Sequence, residues 1–166
     1  MTIAPLDHTH EAALAELLIE TVAAGGSVSF MHPLERDVAR AFWRDSLAAA
    51  ARGERVVLGA TDPELVGTLT LLLDMPPNQP HRAELAKLMT KTAARHRGIA
   101  RALVAEAEQL ARAAGKTMIT LDTAEDEGAA GFYAKLGYTP VGVLPDYAYK
   151  PHGGLTGTVL LYKRLG

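Results

Sequence analysis

The residues best placed to do chemistry stand together at Arg95-His96-Arg97-Gly98. Two guanidinium groups, an imidazole and a glycine come just before an alanine- and leucine-rich helix that begins near Gly98. A turn that opens a helix with glycine can aim several unpaired backbone N–H groups at one point. The helix dipole adds partial positive charge there. Such a site takes an anion, most naturally a phosphate, and the cationic side chains add charge-assisted donors. The competing reading is a helix start with a solvated basic cap. Neither Gly-x-x-x-x-Gly-Lys-Ser/Thr nor Gly-x-Gly-x-x-Gly after a strand occurs, so the other common phosphate loops do not fit.

The elements around this turn follow from patterning. Leu85 to Thr90 reads as the end of a strand that leads into the turn. After Gly98, Ile99, Leu103, Ala107, Leu110 and Ala114 fall on one helical face, with Arg101, Glu108 and Arg112 outside it. Upstream, Thr2 to Leu6 is a strand, and Asp7 or Thr9 can cap the helix Glu11 to Ala23, which Gly25-Gly26 ends. Pro33 can open a second helix to Ala51. Within it, Phe42-Trp43 either anchors the helix to the core or, with Phe30, walls a pocket.

Strands follow at Glu54 to Thr61 and Leu65 to Leu73, joined by the turn Thr61-Asp62-Pro63-Glu64. The loop Asp74 to Arg82 holds three prolines and is neither helix nor central strand. A strand at Lys116 to Thr123, a short helix with Phe132, Tyr133 and Leu136, a strand Tyr138 to Tyr149 broken at Pro145, and a last strand Gly157 to Arg164 complete the chain. The order β-α-α-β-β-β-α-β-α-β-β gives a mixed α/β sheet packed by helices.

Bulk properties narrow the function classes. The chain has 166 residues and is 48% hydrophobic, which suits a single domain over 1–166 with a full core. Its formal net charge of −2 gives no reason to expect nucleic-acid binding. Basic residues cluster only from Lys87 to Arg101, as a local anion pocket would require. With no cysteine, a thiolate nucleophile and a Cys-based zinc site are excluded. The six histidines form no His-Glu-x-x-His pattern, so no metal is expected. The N-terminus lacks the features of a signal peptide, and no apolar run approaches the ~20 residues that span a bilayer. The expectation is a cytoplasmic protein that does not engage membranes.

Arg95-His96-Arg97-Gly98-Ile99-Ala100 matches Arg/Gln-x-x-Gly-x-Gly/Ala, and about thirty residues on comes Ala129-Ala130-Gly131-Phe132-Tyr133-Ala134-Lys135-Leu136-Gly137-Tyr138. In these positions and in this order of elements, the pair resembles the two signatures of the GNAT superfamily of N-acetyltransferases. The segments Ser27 to Met31, Phe42-Trp43 and His81 to Leu88 resemble its tabtoxin-resistance branch. The resemblance implies an α/β (α+β) fold: a mixed, mostly antiparallel sheet of about seven strands with one splayed parallel pair, flanked by about four helices. One departure stands out: where many relatives carry Asn, six residues before Phe132, this chain has Asp126, so the cofactor or turn contact assigned to that position is open.

The resemblance implies transfer of an acetyl group from acetyl-CoA to an amine. The main-chain N–H groups of Arg97 to Ala100 would cradle the pyrophosphate, supported by Arg95, His96 and Arg97, with Gly98 allowing close approach and Ile99 and Ala100 opening the helix. Leu88, Met89 and Thr90 would pair with the pantetheine arm as a strand edge pairs with an added strand. An ammonium must lose a proton before it can attack a thioester, so a base is needed. Glu84 is the first candidate and Asp122 the second, although Glu84 could simply pair with Arg82 or Lys87, and Asp122 could be a cap or ion-pair partner. Tyr133, with an ordinary pKa of about 10, could protonate the departing thiolate, or could simply pack.

Without a cysteine or a Gly-x-Ser-x-Gly turn, direct attack in a ternary complex is the simpler scheme. Ser29, Phe30, Met31, Phe42, Trp43 and Asp146, with Tyr147 and Tyr149, are the candidate acceptor wall. Their mix of aromatics and carboxylates suits a small polar amine. Acceptors on a protein N-terminus or lysine, a non-catalytic acyl-CoA-binding module and a homodimer remain open.

Overall fold

Alternating apolar residues in the Val-, Leu- and Thr-rich stretches make strands, and the alanine-rich stretches between them make helices. The computed structural model describes residues 1–166. In chain order the elements are β1 (Thr2–Pro5), α1 (Glu11–Ala23), α2 (Arg36–Ala51), β2 (Arg55–Thr61), β3 (Leu65–Leu72), β4 (Arg82–Thr90), α3 (Ile99–Ala113), β5 (Met118–Ala124), α4 (Ala129–Lys135), β6 (Thr139–Tyr149) and β7 (Leu155–Arg164). Short 3-10 turns at His8–His10 and Thr92–Ala94 precede α1 and α3. The Asp7 carboxylate caps the first, accepting from the Thr9 N–H at 3.0 Å. No helix is long and apolar enough to cross a membrane.

The seven strands form one sheet in the order β1-β2-β3-β4-β5-β7-β6. Every neighbouring pair is antiparallel except β4 and β5. That parallel pair is short: Arg82, Ala83 and Glu84 face Met118, Ile119 and Thr120, and there the pairing stops. Beyond it β4 continues along β3 to Thr90, while β5 continues along β7 to Ala124. The two strands therefore part, as the family resemblance implied, and a cleft opens between them.

A bulge accompanies the parting. The β3–β4 register slips between Thr68 and Thr70, so Leu69 alone faces Lys87 and Leu88, and Lys87 sits at φ +55°. A bulge bends its strand and increases the local twist. Its effect shows in the core. Ala83 and Leu85 pack with α3, yet Met89, at the same strand parity, packs with α1 and α2. In an unbroken strand residues of one parity share a face, so the extra residue has turned the strand over.

Two apolar clusters cover the two faces of the sheet. One joins α3 and α4 to Leu58, Leu69, Leu71, Ile119 and Leu161; the other joins α1 and α2 to Val57, Leu65 and Met89. Trp43 lies wholly buried in the second. Glu108, expected outside the apolar stripe of α3, is also buried. Lys163 of β7 explains it: its Nζ lies 2.8 and 2.9 Å from the two Glu108 carboxylate oxygens and donates to the Leu136 carbonyl at 2.8 Å. A charge can be buried when it is paired and hydrogen-bonded, and this one braces α3, the end of α4 and β7 together.

Two further boundaries differ from the sequence reading. Helix α2 begins at Arg36 rather than Pro33, with Glu35 still extended. The His32 N–H donates to the Pro151 carbonyl at 2.9 Å and its ring lies against His152, which ties this segment to the β6–β7 connection instead of to a helix. Strand β6 runs through Pro145, with its register slipping between Leu144 and Ala148. It is an edge strand, where a missing N–H need cost no ladder bond.

Gly67 sets the height of α3 above the sheet. A Cβ there would lie 2.8 Å from Ile99 Cγ2 and 3.1 Å from the Met89 carbonyl oxygen. Gly67→Val should therefore lower stability by about 1–3 kcal/mol through overpacking, read by chemical denaturation; unchanged stability would show that α3 is free to shift.

Candidate active site

The cleft between β4 and β5 is a cavity of about 870 Å³. Its walls are β4 from Glu84 to Thr90, the turn into α3, Asp122 and Thr123 of β5, α4 with Phe132 and Tyr133, and the loop Gly26–Ser29 after α1. The expected site residues Glu84, Leu88, Met89, Thr90, Arg95, His96, Gly98, Ile99, Ala100, Asp122, Tyr133 and Ser29 all line it.

At the α3 end the backbone forms an anion cradle. The first amide of the helix to find a main-chain acceptor is that of Ala102, which donates to the Gly98 carbonyl at 3.0 Å. The N–H groups from His96 to Arg101 have no such partner. His96 and Gly98 are both left-handed, at φ +62° and +79°. Alternating backbone of this kind turns successive N–H groups toward one concavity. A Cβ on Gly98 would meet nothing within 4 Å, so the space beside it is open. These features fit the pyrophosphate of a coenzyme A. The β4 edge from Leu85 to Thr90, unpaired on its β5 side, could take an extended arm in strand-like fashion.

Not every expected contact is present. Arg97 does not line the cavity; its guanidinium is engaged by Asp62 in the β2–β3 turn, which leaves its backbone as its contribution to the cradle. Asp126 also lies outside. Lys150 and the Thr156 hydroxyl, the latter at 3.0 Å, hold it against the β6–β7 hairpin, and both lower its pKa.

Of the expected acceptor wall, Trp43 is fully buried, Phe42 and Phe30 pack edge to face at 5.2 Å beside the α1–α2 core, and Met31 points to solvent. Asp146, Tyr147 and Tyr149 lie on the exposed edge strand β6, apart from the cavity. Their types suited a pocket, but burial in one case and the outer edge of the sheet in the other take them away from it.

Three groups in the cleft could move protons. Glu84, at the last paired position of β4, lies 3.3 Å from Arg82 Nη1. That guanidinium is itself fixed by Gln79 Oε1 at 2.7 Å and Thr120 Oγ1 at 3.0 Å. Asp122 accepts from Thr158 Oγ1 at 2.7 Å. Tyr133 is buried, and burial alone raises its hydroxyl pKa well above the ordinary phenol range, so it stays protonated at neutral pH.

Among the lining residues outside the expected set, two make polar ties across the cleft. Lys87 reaches the Ser29 hydroxyl at 3.0 Å, and Glu127 accepts from the Ser27 N–H at 3.0 Å. Together they tie the α1–α2 loop to both walls of the cleft. No sequence signal marks the bulge that places Lys87: adjacent apolar residues such as Leu88 and Met89 fall on opposite faces of any buried strand.

Known proteins share this fold. The model of the acetyltransferase (GNAT) family matches residues 15–138. The chain belongs to that family of acetyltransferases. The fold is shared with a ribosomal-protein-alanine N-acetyltransferase from Brucella melitensis (TM-score 0.83, 20% identity, covering 99% of this chain and 100% of that one). It is shared also with yncA, a putative acetyltransferase from Salmonella typhimurium solved with its cofactor acetyl-CoA (TM-score 0.81, 18% identity, 99% and 94% covered). A putative phosphinothricin N-acetyltransferase is as similar (TM-score 0.80, 17% identity, 99% and 98% covered).

The cradle makes a direct prediction. Gly98→Trp puts a ring into the open space beside the unpaired amides and adds about 1–2 kcal/mol of left-handed strain. Acetyl-CoA affinity should fall about a hundredfold or more by calorimetry while the circular dichroism spectrum stays that of a folded chain. Unaltered affinity would overturn the assignment of this turn to the pyrophosphate.

Proposed function

We propose that this acetyltransferase modifies the primary amine of a small molecule by direct attack, with acid and base supplied from the β4/β5 cleft. The observation that carries the reading is the arrangement along one cleft: an amide cradle at one end, and two carboxylates with a neutral buried tyrosine on its walls. Acetyl-CoA supplies the acetyl group as a thioester. Glu84 or Asp122, directly or through a water, takes the proton that the acceptor ammonium must lose. The freed amine forms a C–N bond at the thioester carbonyl as the C–S bond breaks, and Tyr133 donates its proton to the departing sulfur. The Arg82 guanidinium, 3.3 Å from the Glu84 carboxylate, fixes where that group stands on the cleft wall.

The tied α1–α2 loop supports a small acceptor over a polypeptide. Its links to Lys87 on one wall and Glu127 on the other narrow the opening that an extended chain would need.

A panel of primary amines, assayed by thiol release from acetyl-CoA, tests the reading. Turnover of free small amines but not of peptide N-termini or peptide lysines is the expected result, and exclusive acetylation of peptides would overturn it. Tyr133→Phe should lower kcat by about 10²-fold, within the range of a lost general acid, and leave the acetyl-CoA Kd unaltered. An undiminished kcat would remove Tyr133 from the mechanism.

A further inference from the structure

Lys87 is a cation without a counterion in the wall of the cleft. It is half-buried, and that burial pulls its pKa below the ordinary lysine range while the charge of Asp122 acts in the opposite direction. No carboxylate lies within ion-pair distance of it; the other lysines and arginines that meet carboxylates do so elsewhere. Its Nζ has one hydrogen-bond acceptor, Ser29 Oγ at 3.0 Å, and stands 5.7 Å from the centre of the Phe42 ring. An ammonium has three donors, so two have no partner within the protein. The bulge holds this residue in a left-handed conformation, at φ +55°, that a side chain other than glycine adopts at a cost. The fold thus places a strained, partly desolvated cation, with no carboxylate in ion-pair contact, on the wall of the cleft that Glu84 and Asp122 also line.

Resting on the reading of a small-amine acetyltransferase, we propose that Lys87 selects an acceptor bearing an anionic group close to its reacting amine, so that the substrate class is the free amino acid or a similar amino-carboxylate. The ammonium of such a molecule meets the field of Glu84 and Asp122, and its carboxylate fills the two free donors of Lys87. A charge-assisted bond of this kind strengthens where water is reduced. A simple amine leaves the Lys87 charge unmatched, and a polyamine brings a second cation toward it, which is repulsive. A peptide N-terminus offers an amide carbonyl where the carboxylate would be, and loses the charge.

The test compares matched acceptors. A set of free L-amino acids, each with its C-terminal carboxamide, is assayed by thiol release beside spermidine and phenethylamine. The best amino acid should exceed its carboxamide by about tenfold or more in kcat/KM, the scale of one hydrogen bond to a charged group. Lys87→Met should bring that ratio toward one, chiefly through KM, and Lys87→Arg should restore part of it. A wild-type enzyme that acetylates the carboxamide as well as the acid overturns the inference, and that comparison stands even if the variants fold poorly. A preference that survives Lys87→Met overturns it equally. Acetylation of spermidine or phenethylamine with every amino acid refused would overturn this inference alone. No thiol release with any amine would overturn the proposed function as well.

Discussion

The early end of β4/β5 pairing is the constraint on which the site depends. Three residue pairs hold the parallel strands together, from Arg82 to Glu84 on one side and Met118 to Thr120 on the other. Had the pairing continued, the backbone groups of Leu85 to Thr90 would be satisfied by β5 and no cleft would exist. Buried backbone N–H and C=O groups must find partners, so a strand edge left open inside a sheet is a place prepared for a ligand. The bulge at Lys87 and Leu88 sustains the parting, because it turns β4 over while β3 keeps its grip. Closing the sheet at this point would need the bulge removed, and with it the change of face that lets Met89 enter the α1–α2 core.

The rest of the molecule reads as support for that opening. Gly67 allows α3 to lie close on β3, which brings the helix start to the mouth of the cleft. The Glu108–Lys163 pair fixes the far half of α3 against β7. Asp62 and Glu64, at the β2–β3 turn, hold Arg97 and Lys91 on either side of the 3-10 turn that leads into the cradle. These side-chain ties flank the start of the cradle, where the amides from His96 to Arg101 have no main-chain acceptor.

What could be read from the sequence separates along the same line. The limits of α1, the strand and helix order and the Arg95–Ala100 turn rest on local patterning, and the chain follows them. What escaped depended on contacts between distant residues. Glu108 reads as a solvent-facing charge until Lys163 comes to it from 55 residues away. Trp43 and Asp146 had the chemistry of a pocket wall, but one lies deep in a core and the other on an outer edge strand. Lys87 was legible only as a charge near Glu84. Its meeting with Ser29 needs a loop 58 residues earlier in the chain to fold across the cleft.

The two ends of the cleft use different chemistry, and this bears on how such a fold can vary. The cofactor end is built mostly of main-chain amides, which any sequence with glycine in the right place can present. The proposed acceptor end is built of side chains from three separate elements: Glu84 and Lys87 on β4, Asp122 on β5, and Ser29 on the loop after α1. The fold is shared at 17–20% identity with proteins named for acceptors as different as a ribosomal protein and phosphinothricin, in keeping with this division. The backbone end can be preserved through wide sequence change, while each acceptor end is set by a few exchangeable groups. In this chain the proposed group is Lys87, a positive charge with no carboxylate in ion-pair contact, in a cleft that the negative Glu84 and Asp122 also line. It asks for a ligand of both signs, which neither the cradle nor the fold does.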